Sequence, residues 1–327
     1  MSPSQPDLDQ LRMMTKVAHL YHTRGMVQSE IAKTLGLSQA RVSRLLAAAE
    51  EAKIVRTIIV PPPGLNSDLE QDLERVFGLL EVHVVDASGQ GSEERALTLG
   101  RALANVFEIL PIEDKVIGHT SWSFSMRSFV NVLTRFPHAK AKSVVEMLGG
   151  VGQPSLQHEA TSSTERLAQL TDGEPLFLRV PGVVPTLELK EALLKSDPHA
   201  RLALEALDHL DIALVGLGNC EIRSERVADG NFFTEEHFTK LRSLGAVGEI
   251  NLRFIDKNGT PIASEMDDLV IGVTLEQVKR ADRRIGVAGG KNKHEAALAA
   301  VRGGWINVLI TDEETAEFLL AHGPADA

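Results

Sequence analysis

Four glycine-bearing segments each stand directly behind an apolar run: Gly118-His119-Thr120-Ser121, Gly149-Gly150-Val151-Gly152, Gly216-Leu217-Gly218-Asn219 and Gly289-Gly290-Lys291-Asn292-Lys293. Glycine lets backbone N–H groups approach a bound group, and hydroxyls and amides exchange hydrogen bonds with polyhydroxylated ligands. A helix start carrying lysine attracts anions. One such loop is usually a tight turn. Four of them point to a shared pocket for an anionic or hydroxyl-rich small molecule. Its candidate residues are His119, Thr120, Ser121, Gly150, Gly152, Gly218, Asn219, Gly289, Gly290 and Lys293, with His294 as a second histidine at the same place.

A different chemistry is written near the N-terminus. Residues 28–47 read QSEIAKTLGLSQARVSRLLA. The pattern predicts a short helix over 29–35, a sharp turn at Gly36, and a second helix capped by Ser38 and running to residue 49. Ala32 falls where the two helices come closest, and Ile31, Leu35, Val42, Leu45 and Leu46 supply an inner face. A preceding support helix is expected over 12–21. The second helix presents Ser38, Gln39, Ala40, Arg41, Ser43 and Arg44 near its start, residue types that read base edges and hold phosphates.

The elements that must position these groups follow from patterning. Pro61-Pro62-Pro63-Gly64 interrupts helix and strand alike, and Ser67 with Glu70 forms a capping-box pattern after it. The expected organisation is therefore a helix-turn-helix domain over 1–56, a stiff linker over 57–66 and a larger domain over 67–327. In the larger part, strands are expected at 81–86, 115–118, 143–148, 176–180, 211–216, 284–288 and 305–311. Helices are expected at 93–107, 123–133, 186–195, 235–244, 275–281, 293–302 and 312–320. Apolar strands separated by helices predict a parallel sheet covered on both faces. Residues 248–255 break the pattern by alternating and then meeting Asn258-Gly259, a hairpin-turn dipeptide.

Composition narrows the class. The chain has 327 residues, 43% hydrophobic and 24% charged, which excludes a disordered protein. Its net charge of −11 is unevenly spread, since residues 1–56 carry eight basic against five acidic side chains. A basic module on an acidic body is the pattern of a protein that touches nucleic acid at one end. A single cysteine, Cys220, excludes an internal disulfide and a cysteine-built zinc site, and a small buried thiol is the expectation there. His19 and His22 are expected at packing or surface positions. Thr311 and Glu314 fit a capping box that accounts for the acidic run 312–314. No secretory signal pattern and no span of about 18 apolar residues occurs, so a cytoplasmic location is expected. No metal, cofactor or catalytic residue is expected.

Several separated segments resemble the SorC/DeoR-type family of sugar-binding transcriptional regulators. They are the helix-turn-helix, DIALVGLGN at 211–219, NFFTEEHFTKL at 231–241, GAVGEINLRFIDKNGTPI at 245–262 and IGVAGGKNKHEAALAAVRGGWINVLITDEETAEFLL at 285–320. The resemblance covers nearly the whole chain. It implies an α/β fold with an N-terminal helix-turn-helix and a Rossmann-like effector domain related to sugar-phosphate isomerases. It implies operator DNA as partner, a homodimer or homotetramer, and a sugar, polyol or sugar-phosphate effector. Lys293 matches the lysine of the family's AGG-x-x-K motif at the ligand. Glu249 stands where the family usually has aspartate, a carboxylate suited to sugar hydroxyls. The family's Gly-x-x-Trp-Gly-x-Thr pattern is altered: Trp122 is displaced by one place, and Ser123 and Ser125 replace its glycine and threonine. An unphosphorylated polyol thus stays open beside a phosphate. A sugar-phosphate isomerase or deaminase with an added DNA-binding head is the alternative function.

Overall fold

The computed structural model describes residues 8–55, 65–134, 140–222 and 232–323. The chain divides into two compact units, Met1–Pro61 and Pro62–Ala327. The run Pro61-Pro62-Pro63-Gly64, and with it most of the expected linker, lies outside the described residues.

The first unit comprises α1 (Leu8–Ala18), a π turn (His19–Thr23), α2 (Gln28–Leu35) and α3 (Gln39–Glu51). The expected support helix is α1 plus that π turn. Gly36 ends α2 with φ +63°, and the left-handed turn lets the Leu37 N–H reach the Ala32 carbonyl at 2.9 Å. The Ser38 hydroxyl caps α3 by accepting from the Arg41 N–H at 3.3 Å. Val17, Ile31, Val42 and Leu46 are buried together with Ala32 and bind the three helices into one core.

The second unit opens with α4 (Ser67–Phe77), β1 (Glu81–Val85), α5 (Ser92–Glu108), β2 (Val116–His119), α6 (Phe124–Val132), β3 (Ser143–Glu146) and α7 (Pro154–Leu170). Then come β4 (Glu174–Leu176), α8 (Leu187–Ser196), α9 (Pro198–Ala206), β5 (Ile212–Asn219), α10 (Glu235–Ser243), β6 (Ala246–Ile250) and β7 (Arg253–Asp256). It closes with α11 (Leu275–Arg280), β8 (Arg283–Val287), α12 (His294–Arg302), β9 (Val308–Asp312) and α13 (Glu313–His322). Seven strands pair in parallel in the order β1-β9-β8-β5-β2-β3-β4. Successive β5 residues bury alternately on its two faces. Ile212 and Leu214 join Leu103, Phe107 and Phe129 of α5 and α6, while Ala213 and Val215 join Ala203, Val278, Ala297 and Leu319 on the other face. The second half of β5 leaves this ladder and pairs antiparallel with β6, which pairs with β7. Two contacts are backbone-close. A Cβ on Gly100 of α5 would lie 2.8 Å from the Phe129 nitrogen of α6, and one on Gly248 of β6 would lie 2.7 Å from the Ala296 Cβ of α12.

Several expected elements differ. Helices α7 and α9 have no counterpart among the elements the residue pattern predicts. The buried face of α7 is Ala160, Ser163, Thr164, Leu167 and Ala168, which offers little apolar contrast, and α9 starts at Pro198 under an Asp197 cap. The strand expected at 176–180 is β4 and ends at Leu176, because the Leu178 N–H is taken by the Glu146 side chain at 2.9 Å. Strand β9 begins at Val308, since Trp305 is engaged elsewhere, donating to the Gly259 carbonyl at 2.6 Å. The first reversal after Gly248 is at Asn251-Leu252, with φ +50° and +63°, and Asn258-Gly259 makes a second one that brings Ile255 opposite Pro261. Neither expected capping box forms. Glu70 accepts instead from the Val84 N–H at 2.9 Å, and Asp312 caps α13 through the Thr315 N–H at 3.0 Å.

Candidate functional site

The first site is the exposed side of α3. Ser38 occupies the cap, and Gln39, Ala40, Arg41, Ser43 and Arg44 are all exposed, opposite the buried Val42, Leu46 and Ala49. The Arg44 Nε donates to the Ala40 carbonyl at 3.3 Å, which lays the guanidinium along the helix surface. Short polar residues flanked by two arginines on the first turns leave the helix free to enter a major groove end-on.

The second site is a cavity of about 370 Å³ in the larger unit. It lies at the carboxyl edge of β2, β5 and β8, where ligands sit in open parallel sheets. The β2–α6 loop contributes Thr120, Trp122, Ser123 and Ser125. Strand β5 contributes Gly216, Gly218 and Asn219, and the β6–β7 hairpin contributes Glu249, Asn251 and Leu252. The loop after β8 contributes Gly289, Asn292 and Lys293, and Arg95 of α5 faces the same space. Lys293 ends a single 3₁₀ turn and caps α12, so its backbone belongs to a helix start as expected.

Glu249 is held in a defined pose. Its Oε2 accepts from the Leu252 N–H at 2.7 Å, and its Oε1 lies so close over Gly218 that a Cβ there would be 1.7 Å away. Gly218→Ala must therefore displace this carboxylate. The clash is with the end of a flexible side chain, so the variant is expected to fold at a cost of about 1–3 kcal/mol. Denaturant midpoints check that figure, and ligand titration of the same variant should show weakened binding.

Two polar groups on the cavity wall stand out. Thr120 and Asn251 are buried, and neither the threonine hydroxyl nor the asparagine amide has a hydrogen-bond partner among the described residues. A buried amide without partners costs roughly 1–3 kcal/mol, which a bound hydroxyl or carbonyl offsets. The apolar part of the wall includes Trp122, Leu148, Leu156, Phe232, Phe238 and Leu252.

Six expected pocket residues lie elsewhere. His119 is fully buried, with Nδ1 3.3 Å from the Thr164 hydroxyl, and burial with the nearby Arg127 charge pushes its pKa down to about 3. Ser121 is buried and does not line the cavity. Gly150 has no N–H to offer, because it donates to the Val180 carbonyl at 2.7 Å, while Gly149 donates to Ile271 at 3.0 Å. Gly152 likewise does not line the cavity, and Gly290 sits under the Arg95 guanidinium. His294 is stacked on Phe318 with ring centroids 4.4 Å apart, and burial lowers its pKa. Cys220 is buried and its thiol is pushed up to about 11 by burial, so it is a poor nucleophile. His19 and His22 are exposed on the π turn.

Sequence reasoning passed over Arg95, Asn251 and Asn292. Each lies in a segment whose local pattern is complete without it. Arg127 also faces the cavity, yet it donates to the Ser121 and Trp122 carbonyls at 3.4 and 3.2 Å and pairs with Glu159 at 3.5 Å. Among the described residues no helix is long and apolar enough to cross a membrane.

Comparison with known proteins shows the family of the chain. The family described as "Putative sugar-binding domain" matches residues 62–321. The sorbitol operon regulator of Klebsiella pneumoniae is 30% identical over 317 residues, covering 95% of this chain and 98% of that protein. The deoxyribonucleoside regulator of Bacillus subtilis is 29% identical, covering 96% and 99% respectively. The crystal structure of the full-length Klebsiella pneumoniae regulator, SorC, superposes with a TM-score of 0.70 at 29% identity, covering 95% of this chain and 99% of that one.

Proposed function

This chain belongs to the SorC/DeoR-type family of sugar-binding transcriptional regulators, and from that premise we propose that it controls a carbohydrate or polyol operon. In this reading α3 binds operator DNA, and a sugar, polyol or sugar phosphate in the cavity modulates that binding. The observation that carries it is the cavity itself. Its wall joins a posed carboxylate, unpartnered hydroxyl and amide groups and a lysine at a helix start, in a chain that also holds a recognition helix.

The same reading divides the chain into a DNA-binding part over 1–56, a linker over 57–66 and an effector and oligomerisation part over 67–327. It places the protein in the cytoplasm as a homodimer or homotetramer, since one helix-turn-helix copy binds DNA weakly. It treats the protein as a non-enzyme. Ring opening and proton transfer need a positioned acid–base pair. His119, the nearest histidine candidate, is outside the cavity wall, and one oxygen of Glu249 is committed to the Leu252 N–H.

The test is a thermal-shift screen of the pure chain across sugars, polyols and their phosphates, run beside a turnover assay on the same panel. A ligand at about 100 times its Kd stabilises by about 2.7 kcal/mol. A melt shift without turnover supports the regulator; turnover supports the isomerase alternative; silence from all three classes removes the sugar-effector reading.

On the DNA side, Arg41→Ala and Arg44→Ala are each expected to weaken operator binding by about 1–3 kcal/mol where the arginine reads a base edge. Titrations of operator and scrambled duplex at one salt concentration separate the cases. A base contact loses discrimination, a phosphate contact weakens both duplexes alike, and parental binding by both variants rejects the assignment of α3.

A further inference from the structure

We infer that Arg95, aimed by the buried carboxylate of Asp312, reads an oxyanion on the effector, a phosphate or carboxylate that presents two acceptor oxygens. The inference rests on the cavity being the effector site. Arg95 lies in the first turn of α5 and lines the cavity, and Asp312 ends β9. The Arg95 Nε stands 2.8 Å from the Asp312 Oδ2. Asp312 is itself immobilised. It is 2% exposed, and its other oxygen accepts from the Thr315 N–H at 3.0 Å to cap α13. A carboxylate fixed by that cap presents its other oxygen to the guanidinium as an ion pair.

The backbone beside the pair is shaped for it. A Cβ on Gly289 would lie 3.0 Å from the Asp312 Oδ2, and a Cβ on Gly290 would lie 2.6 Å from the Arg95 Nη1. Gly290 also has φ +88°, which side chains other than glycine rarely adopt. The double glycine thus gives the arginine room, and the anion-facing work passes from the loop's N–H groups to the side chain lying on it.

With Nε tied to Asp312, both Nη groups are without a partner among the described residues, and Arg95 faces the cavity. Two parallel donors at fixed spacing match the two oxygens of a carboxylate or phosphate. Asn292 and Lys293 lie on the same wall, and the α12 start adds a favourable potential for negative charge. Asp312 acts through Arg95 and is a positioning residue.

The test titrates the full chain by calorimetry with D-glucitol, D-glucitol 6-phosphate and D-gluconate. At least one of the two acids is expected to bind the parent about tenfold to a hundredfold more tightly than D-glucitol. Arg95→Gln should erase that ratio, bringing the affinity of both acids down to that of D-glucitol. Arg95→Lys, which keeps the cation and loses the fork, should reduce the ratio, as should Asp312→Asn, in which asparagine still caps α13. The phosphate and carboxylate arms tell which acid the fork takes. A parental ratio in Arg95→Gln, or a parent that binds the acids and D-glucitol alike, overturns the inference while the effector cavity stands. Binding of none of the three at millimolar concentration overturns the cavity reading and the inference with it.

Discussion

Lys293→Ala is expected to abolish the effector's stabilisation of the protein and its effect on operator binding. Lys293 caps α12 with its backbone and lines the cavity. Removing the ammonium takes a positive charge from the cavity wall at the start of α12, so affinity for an anionic or hydroxyl-rich ligand should fall below detection. Operator affinity without ligand should persist, because coupling arises only from differential ligand binding to two states. Calorimetry of the variant with the identified effector, beside operator titrations with and without it, checks both halves. Unchanged affinity rejects the cavity as assigned.

The second large effect concerns Glu146, at the end of β3 and paired in register with His119. Burial pushes its carboxyl up to about 7, against the opposing pull of the Leu178 N–H, Arg179, Thr161 and Thr164. An acid whose folded pKa lies above its ordinary 4.5 favours folding in the protonated form. Its contribution is present below about pH 4.5, declines as pH rises and is gone above about pH 7, a change of about 3 kcal/mol. His119 runs the other way. Burial first, and the Arg127 charge second, hold it neutral in the fold, so stability is lost as pH falls below its ordinary 6.5 toward about 3. Between pH 4.5 and 6.5 the two slopes oppose one another, and the parent should show little dependence from this pair. Glu146→Gln keeps an oxygen for the Leu178 N–H and removes one slope. Its stability relative to the parent should rise by about 3 kcal/mol between pH 4.5 and 8. Urea midpoints at both pH values measure this double difference, and a constant offset would show that Glu146 does not titrate as described.

Much of this molecule was legible from residue patterns, for identifiable reasons. The helix-turn-helix was read because turn, cap and inner face all fall within twenty residues of chain. The parallel sheet was read because strands buried on both faces are apolar throughout. Helix α7 escaped because Ala160, Ser163 and Thr164 bury without looking apolar. The glycine loops taught a sharper lesson. Gly150 and Gly218 both mark a close approach to backbone, but the group approaching Gly150 is the chain's own Val180 carbonyl and Gln157 side chain, whereas Gly218 lies open to the cavity under Glu249. A lone sequence shows that something comes near, not what. Arg95 was invisible for a related reason: its partner Asp312 is remote in the chain, and only the fold brings them within 2.8 Å.

Gly100 and Gly248 each let two elements beside the cavity meet at backbone distance. Backbone contact at Gly100 clamps α5 to α6, and backbone contact at Gly248 clamps β6 to α12. Arg95, Ser123 and Ser125 thus ride on one clamp, and Glu249 and Lys293 on the other. Neither clamp loosens internally without opening a glycine contact that no other residue can refill. The two clamps meet along β5, where a Cβ on Gly216 would lie 2.6 Å from the Ser123 Cβ. A substitution inside either clamp is expected to act first on stability, and one on the wall between them first on which ligand is held.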